Sequence, residues 1–237
     1  MCSSDLVEIF RSGTTEIMNK LMAEIAAGDP KPDVLLVADS ISLELLKKEN
    51  RLLAHPEADV ANLPAEAYDR DRTYFGTKLI TSGIVYNTAA KDRPASWKDL
   101  ADPKYRGQIV MPSPLYSGAA AITVSTFAAR PDFGWSYIEA LMKGNQATAV
   151  RGNGAVLRSV ASGEKAYGIL VDFMALNAKQ KGSPVEFVIP AEGLTAVTEP
   201  VAILRTSRNQ KAAKAFVDFL ISEEGQQLAV GQGYLPA

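Results

Sequence analysis

The chain has 237 residues, 47% hydrophobic and 22% charged, with a formal net charge of −2 at pH 7, which allows one large core or two modest ones and excludes a disordered or fibrous chain. There is no basic excess, no Lys/Arg block and no basic stripe with interleaved aromatics, so nucleic acid is not an expected partner. Cys2 is the single cysteine and His55 the single histidine, which excludes intramolecular disulfides and cysteine-rich zinc sites, and no cofactor or metal is implied.

The opening hexamer MCSSDL has neither a charged n-region nor an apolar h-region and reads as a truncated or joined beginning. No apolar run reaches the length of a membrane span. Residues 7–10 (VEIF) alternate as a half-buried strand does, and RSGTTE then leads into IMNKLMAEIAAG with helical spacing, closed by Gly28. Residues 33–37 (DVLLV) form a continuous apolar run suited to a strand buried on both faces. A helix over 41–53 (ISLELLKKENRLL) follows, with Asp39 or Ser40 as its cap. Strand, helix, strand and helix within about fifty residues predict a parallel α/β unit.

Residues 54–76 read as loop, with His55 on its surface; residues 78–87 (KLITSGIVYN) read as a strand with small residues, Ser82 and Gly83, at its middle. In QIVMPSPLYSGAAA (108–121) a short strand meets Pro112 and Pro114, and Ser117-Gly118-Ala119 then opens a helix. A helix over 133–143 is expected to present Trp135, Ile138 and Leu141 on one face, and RGNG is a turn whose Asn153 caps the next helix. Residues 167–171 are a strand with Asp172 at its carboxyl end. Residues 185–189 are another, and TAVTEPVAIL (195–204) is a long one interrupted at Glu199-Pro200. Two terminal helices cover 209–222 and 223–230.

Five strand-to-helix junctions share one character: Ser12 to Thr15, Ala38 to Ser40, Ser117 to Ala119, Arg151 to Asn153, and Val171-Asp172. In open α/β sheets such junctions gather at the carboxyl ends of strands, where ligands bind. The Ser117 hydroxyl can cap its helix, while Gly118 and Ala119 leave the first free N–H groups unshielded, an arrangement that favours an anion. Asp172 and Glu199 are candidate acceptors for ligand hydroxyls or an ammonium group. Arg151 can reinforce anion binding, and Tyr116 can line the site. No nucleophile–base pair is recognisable, so an enzyme is not expected.

FRSGTTEIMNKL, PDVLLVAD, the block SWKDLADPKYRGQIVMPSPLYSGAAA, RGNGAVLRSVASGEKAYGI and AAKAFVDFLISEEGQQL, in this order, resemble the solute-binding proteins of ABC importers related to ferric-iron-binding and phosphonate-binding periplasmic proteins. The resemblance implies an α/β fold of two lobes (periplasmic-binding type II) joined by two crossing strands, 78–87 and 195–204, with the ligand in the cleft. Lobe 1 would comprise 1–82 with 200–237, N-terminally truncated, and lobe 2 would comprise 83–199. In ferric-binding relatives the Ser-Gly-Ala helix start holds an anion with the help of an Asn, here Ser117, Gly118, Ala119 and Asn153. Those relatives also supply a tyrosine pair and a carboxylate where this chain has Asp172-Phe173-Met174 and Ala38, which argues against a ferric site. The resemblance implies a periplasmic or extracellular location, an ABC permease as partner and a monomer.

The expected ligand is a small anionic organic solute, a sugar phosphate or an aminoalkylphosphonate. The expected contacts are Ser12, Thr14, Asp39, Ser82, Tyr116, Ser117, Gly118, Ala119, Arg151, Asn153, Asp172 and Glu199. Ferric iron with an atypical ligand set, an enzyme of the same fold acting on a phosphate ester, and a ligand-sensing module of a larger regulator are the alternatives.

Overall fold

A computed structural model describes residues 7–237, so the reading of residues 1–6 lies outside the described residues. The first helix, α1 (Thr14–Ala26), turns the apolar stripe Ile17, Met18, Leu21, Ile25 inward and ends before Gly28. Strand β1 (Val34–Leu36) leads to α2 (Ser40–Lys48), where Asp39 is the N-cap and accepts the Ser42 N–H at 2.7 Å. Helix α2 is shorter than expected. Asn50 adopts φ 58°, which breaks the helix, and the last apolar pair becomes strand β2 (Leu52–Leu53). Strand β3 (Tyr74–Gly76) lies in the stretch read as loop.

Strand β10 (Pro200–Leu204), far away in sequence, is the spine of this first sheet. It pairs antiparallel with β1 (Val34 opposite Ile203), with β2 (Leu53 opposite Ile203) and with β3 (Phe75 opposite Val201). The parallel unit expected of strands at 7–10 and 33–37 is not formed, because residues 7–10 make no strand and β1 pairs antiparallel with β10, which sits between β1 and β2. The strand expected at 7–10 is also absent. Val7, Ile9 and Phe10 are exposed, and an alternating pattern without a ladder partner does not make a strand.

The second sheet contains β4 (Ile80–Asn87), β5 (Ile109–Pro112), β6 (Thr148–Val150), β7 (Tyr167–Val171), β8 (Val185–Val188) and β9 (Thr195–Val197). Its order is β6-β5-β7-β4-β8, with β9 also on β4. Strand β5 runs parallel to β6 and β7, whereas β4 runs antiparallel to β7, β8 and β9. Every residue of β4, β5 and β7 is buried, as expected for strands covered on both faces. The covers include α3 (Gly118–Ala129), α4 (Gly134–Glu139), α5 (Asn153–Ala161) and α6 (Asp172–Gln180). After α4 the chain widens into a π-helical turn, Ala140–Gly144. The buried face there is Phe133, Tyr137 and Leu141, and Trp135 is 66% exposed, contrary to the expected face.

Helices α7 (Gln210–Ile221) and α8 (Glu223–Gly231) follow β10, and Ala213, Val217 and Ile221 pack with Phe75, Val201 and Ile203 of the first sheet. The chain passes between the sheets at residues 77–79 and 198–199. Ser82 and Gly83, expected at a crossing, lie inside β4, where a side chain at Gly83 would meet Phe187 and Leu194. His55 is likewise not a surface residue. It is 4% exposed, with Nδ1 facing Glu57 at 3.1 Å and Nε2 facing Asp218 of α7 at 2.7 Å. Among the described residues no helix is long and apolar enough to cross a membrane.

Candidate functional site

Because β5, β6 and β7 are parallel, the helices that follow them, α3, α5 and α6, all start at one edge of the second sheet. Antiparallel β4 begins at that same edge, since Ser82 stands opposite Val171. Both inter-sheet connections therefore leave from the edge that carries the helix starts. The gap between the sheets is thus where a ligand of this fold would lie.

At this edge the first turn of α3 meets the first turn of α1. Ser117 is the N-cap of α3 and its Oγ accepts the Ala120 N–H at 3.3 Å. The Gly118 and Ala119 N–H groups, the first orphans of the helix, have no acceptor among the described residues. Facing them, α1 has Gly13 as its N-cap and no side-chain cap, so its first N–H groups are free as well. The two turns touch closely. A Cβ at Gly13 would collide with the Tyr116 carbonyl oxygen, and a Cβ at Gly118 would stand 2.7 Å from Thr14 Oγ1 and 3.1 Å from Asp39 Oδ2. Only glycine permits this approach.

Thr14, 8% exposed, accepts the Ala38 N–H on Oγ1 at 3.3 Å and keeps its hydroxyl proton for a further acceptor. Asp39 brings one carboxylate oxygen to the same place, with Ser42 Oγ 3.3 Å from it. Arg151, expected to hold an anion, instead pairs with Glu16 of α1 and stands 5.6 Å over the Tyr116 ring. Glu16 also accepts from Ser12 Oγ. Thr14, Asp39, Tyr116, Ser117, Gly118 and Ala119 are therefore brought together, with Ser12 and Arg151 joined through Glu16 at the rim.

The remaining expected residues lie along the same edge with other neighbours. Asn153 is the first residue of α5, and the N-cap is Gly152, so the expected cap does not form. Ser82 is buried within β4. Asp172 opens α6 with its carboxylate engaged by the protein itself: Thr81 Oγ1 donates at 2.6 Å and the Phe173 N–H at 2.7 Å. Glu199 forms an ion pair with Lys78 between the two crossings and holds φ 39°, in the left-handed region. Asp172 and Glu199 thus have partners within the protein rather than facing the α3 start as free acceptors.

Sequence reasoning missed Glu16 and Lys78, and it placed Gly13 in a candidate junction without reading it as a contact residue. For Gly13 the signal was the glycine ahead of Thr14-Thr15 at a helix start. Glu16 and Lys78 carry no local signal, because their partners lie 135 and 121 residues away. Among the described residues no group of three or more His, Cys, Asp or Glu side chains gathers as a metal-holding set.

The putrescine/cadaverine-binding protein of Pseudomonas aeruginosa is 26% identical over 262 residues, covering 97% of this chain and 72% of its own length. The phosphoglycerate transport regulatory protein PgtC of Salmonella typhimurium is 25% identical over 203 residues, covering 83% of this chain and 50% of its own length. The solved structure of the periplasmic binding protein AfuA from Actinobacillus pleuropneumoniae, with exogenous fructose-6-phosphate bound, superposes with a TM-score of 0.83 at 26% identity, covering 97% of this chain and 76% of that one. The chain spans 42% to 72% of the length of the curated relatives it matches. Its two sheets and mixed α/β topology are those of type II periplasmic binding proteins. Residues 29–237 match the family model described as bacterial extracellular solute-binding protein, and the chain belongs to that family.

Proposed function

We propose that this chain is the solute receptor of an ABC importer, that it binds a small anionic organic solute between its lobes, and that it delivers the solute to a membrane permease outside the cytoplasm. The observation that carries the reading is the meeting of two helix starts, α1 without a side-chain cap and α3 with its Gly118 and Ala119 N–H groups left free beside the Ser117 cap, with glycine at both contact points. Free N–H groups at a helix start favour a phosphate or phosphonate group. Asp39, beside them, offers an acceptor for a hydroxyl or ammonium on the atoms next to the anionic group. A sugar phosphate or a hydroxylated phosphocarboxylate fits that pairing, and the fructose-6-phosphate named for AfuA and the phosphoglycerate named for PgtC are of this kind. An aminoalkylphosphonate has the same combination of groups. Binding closes the lobes about residues 77–79 and 198–199, and ligand shifts the population by preferring the closed form. No bond is broken in this reading, and the receptor acts as a monomer.

A thermal-shift screen tests it. The panel is fructose 6-phosphate, 3-phosphoglycerate, 2-aminoethylphosphonate, putrescine, cadaverine, sulfate and ferric citrate. A ligand at about 100 times its Kd stabilises by about 2.7 kcal/mol, and the largest shift is expected from a phosphorylated hydroxy compound or the phosphonate. A best hit without an anionic group would overturn the reading, and turnover of a phosphate ester during the screen would favour an enzyme of the same fold.

A further inference from the structure

We infer that residues 232–235 form a third connection between the lobes, and that Tyr234 is a positioning residue for lobe closure. The segment leaves α8, which packs on α7 and so belongs with the first sheet, and reaches across to the second. The Tyr234 ring lies 4.4 Å, centroid to centroid, from Phe173 in the first turn of α6. The Gln232 carbonyl accepts from Asn177 Nδ2, also on α6, at 3.3 Å. Beyond Tyr234 the chain returns to the first sheet, where Ala237 packs with its core and its N–H donates to Gln226 Oε1 at 2.8 Å. Six consecutive residues therefore join both hydrophobic cores.

The same segment encloses the first crossing. The Leu79 N–H donates to the Leu235 carbonyl at 2.9 Å, and Gln226 Nε2 donates to the Thr77 carbonyl at 2.7 Å. The second crossing is tied to the first, with the Thr77 N–H donating to the Thr198 carbonyl at 3.2 Å and Thr77 Oγ1 to the Glu199 carbonyl at 2.8 Å. Lys78, paired with Glu199, stands 4.8 Å over the Tyr234 ring. Burial and the Glu199 carboxylate raise the phenol pKa of Tyr234, so the ring remains neutral. Any rotation of the lobes must turn the backbone at 77–79 and 198–199, and it must therefore move against this aromatic contact.

The segment lies at the sheet edge that carries the α3 start, so the contact belongs to the described conformation, in which α1 and α3 touch. Removing the ring favours the open form without altering any group proposed to hold solute. The inference relies on the receptor reading only for its consequence for affinity.

The experiment compares Tyr234→Ala and Tyr234→Phe with the parent chain, first without ligand. In Tyr234→Ala the radius of gyration from solution scattering should rise, and amide exchange at Leu79 and over residues 77–80 and 198–200 should accelerate. Tyr234→Phe, which keeps the ring, should match the parent in both. For the panel compound that binds, Tyr234→Ala should weaken affinity about two- to ten-fold, the range an aromatic pair supports, and Phe173→Leu should add little to that loss. Faster exchange confined to residues 231–237, or an unchanged radius of gyration, would overturn the inference, as would a lower Tm with scattering and affinity intact. Because the first two readouts need no ligand, an incorrect solute class leaves them decisive.

Discussion

Replacing Gly118 by alanine adds one methyl group at the point where the two lobes touch. Its carbon would stand 2.7 Å from Thr14 Oγ1, 3.1 Å from Asp39 Oδ2 and 3.2 Å from Thr14 Cβ. The first distance is well inside contact, and Thr14 has little room to yield, since it is 8% exposed and its Oγ1 accepts the Ala38 N–H. Overpacking of this kind costs about 1–3 kcal/mol. Because the contact exists only when the lobes meet, the cost falls on the closed state, and affinity for the best panel ligand should drop about 5- to 150-fold by titration calorimetry. The ligand-free chain can relieve the clash by opening, so its Tm should change by less than the affinity loss implies. Gly118 is already helical, and alanine in a compatible conformation stabilises by about 0.4–1 kcal/mol, or about 1–4 °C in Tm for a chain of this size. Adding Thr14→Ala removes Oγ1, the nearest of the atoms that the methyl meets, and should recover part of the affinity. Unchanged affinity in Gly118→Ala would refute the reasoning, because the ligand-bound form would then not bring α1 and α3 this close. A lower Tm with unchanged affinity would make Gly118 a structural glycine only.

The rim pair Glu16–Arg151 is solvent-exposed, and such pairs contribute about 0–1 kcal/mol. Glu16→Gln should therefore weaken ligand binding by no more than about fivefold and flatten its salt dependence, both measurable by calorimetry at two ionic strengths. Asp33 receives Ser207 Oγ at 2.8 Å and the Arg208 and Asn209 N–H groups at 3.1 and 3.2 Å ahead of α7. Asp33→Ala should lower stability by about 0.5–2 kcal/mol in urea unfolding and leave affinity unchanged, since it removes a cap far from the gap. Glu57 has its carboxyl pKa lowered to about 2 by its own backbone N–H, the His55 ring and the Lys214 ammonium. A depressed carboxyl pKa adds stability above the unfolded value, and that stability is lost as pH falls through the folded one. The stability difference between the parent and Glu57→Gln should thus be full at pH 6, shrink below about pH 4.5 and vanish near pH 2.

Most helices and the second-lobe strands β4, β5, β7 and β8 were legible because their signals are local, whereas β6 (Thr148–Val150), a three-residue strand, was not read. Ser117 caps α3 and Asp39 caps α2 as expected, each through a bond spanning three residues. What failed was whatever depended on a distant partner. Leu52 and Leu53 fit the helical pattern of α2 equally well, yet they pair with β10, about 150 residues on, once Asn50 breaks the helix. The parallel unit expected of 7–10 and 33–37 failed for the same reason, since nothing near β1 announces that a strand from the far end of the chain pairs beside it. His55 looked like loop because Asp218, which anchors it, is 163 residues away.

The site divides along the same line. A helix start exposes its own N–H groups whatever surrounds it, so the open start at Ser117-Gly118-Ala119 could be read from a three-residue motif. A carboxylate has no comparable autonomy, because its role depends on which donor reaches it first. In Asp172 those donors are Thr81 and Phe173, and in Glu199 the Lys78 ammonium. Asp39 caps a helix with one oxygen, and its other oxygen stands at the glycine where the lobes meet. In the proposed reading it is the carboxylate of the three whose position bears on specificity, with only the Ser42 hydroxyl, at 3.3 Å, on that second oxygen among the described residues. Asp39→Asn keeps the cap, because an asparagine oxygen also accepts the Ser42 N–H, but removes the negative charge from the gap. Affinity for a solute that donates a hydroxyl there should fall, whereas inorganic phosphate, repelled by the carboxylate, should bind more tightly.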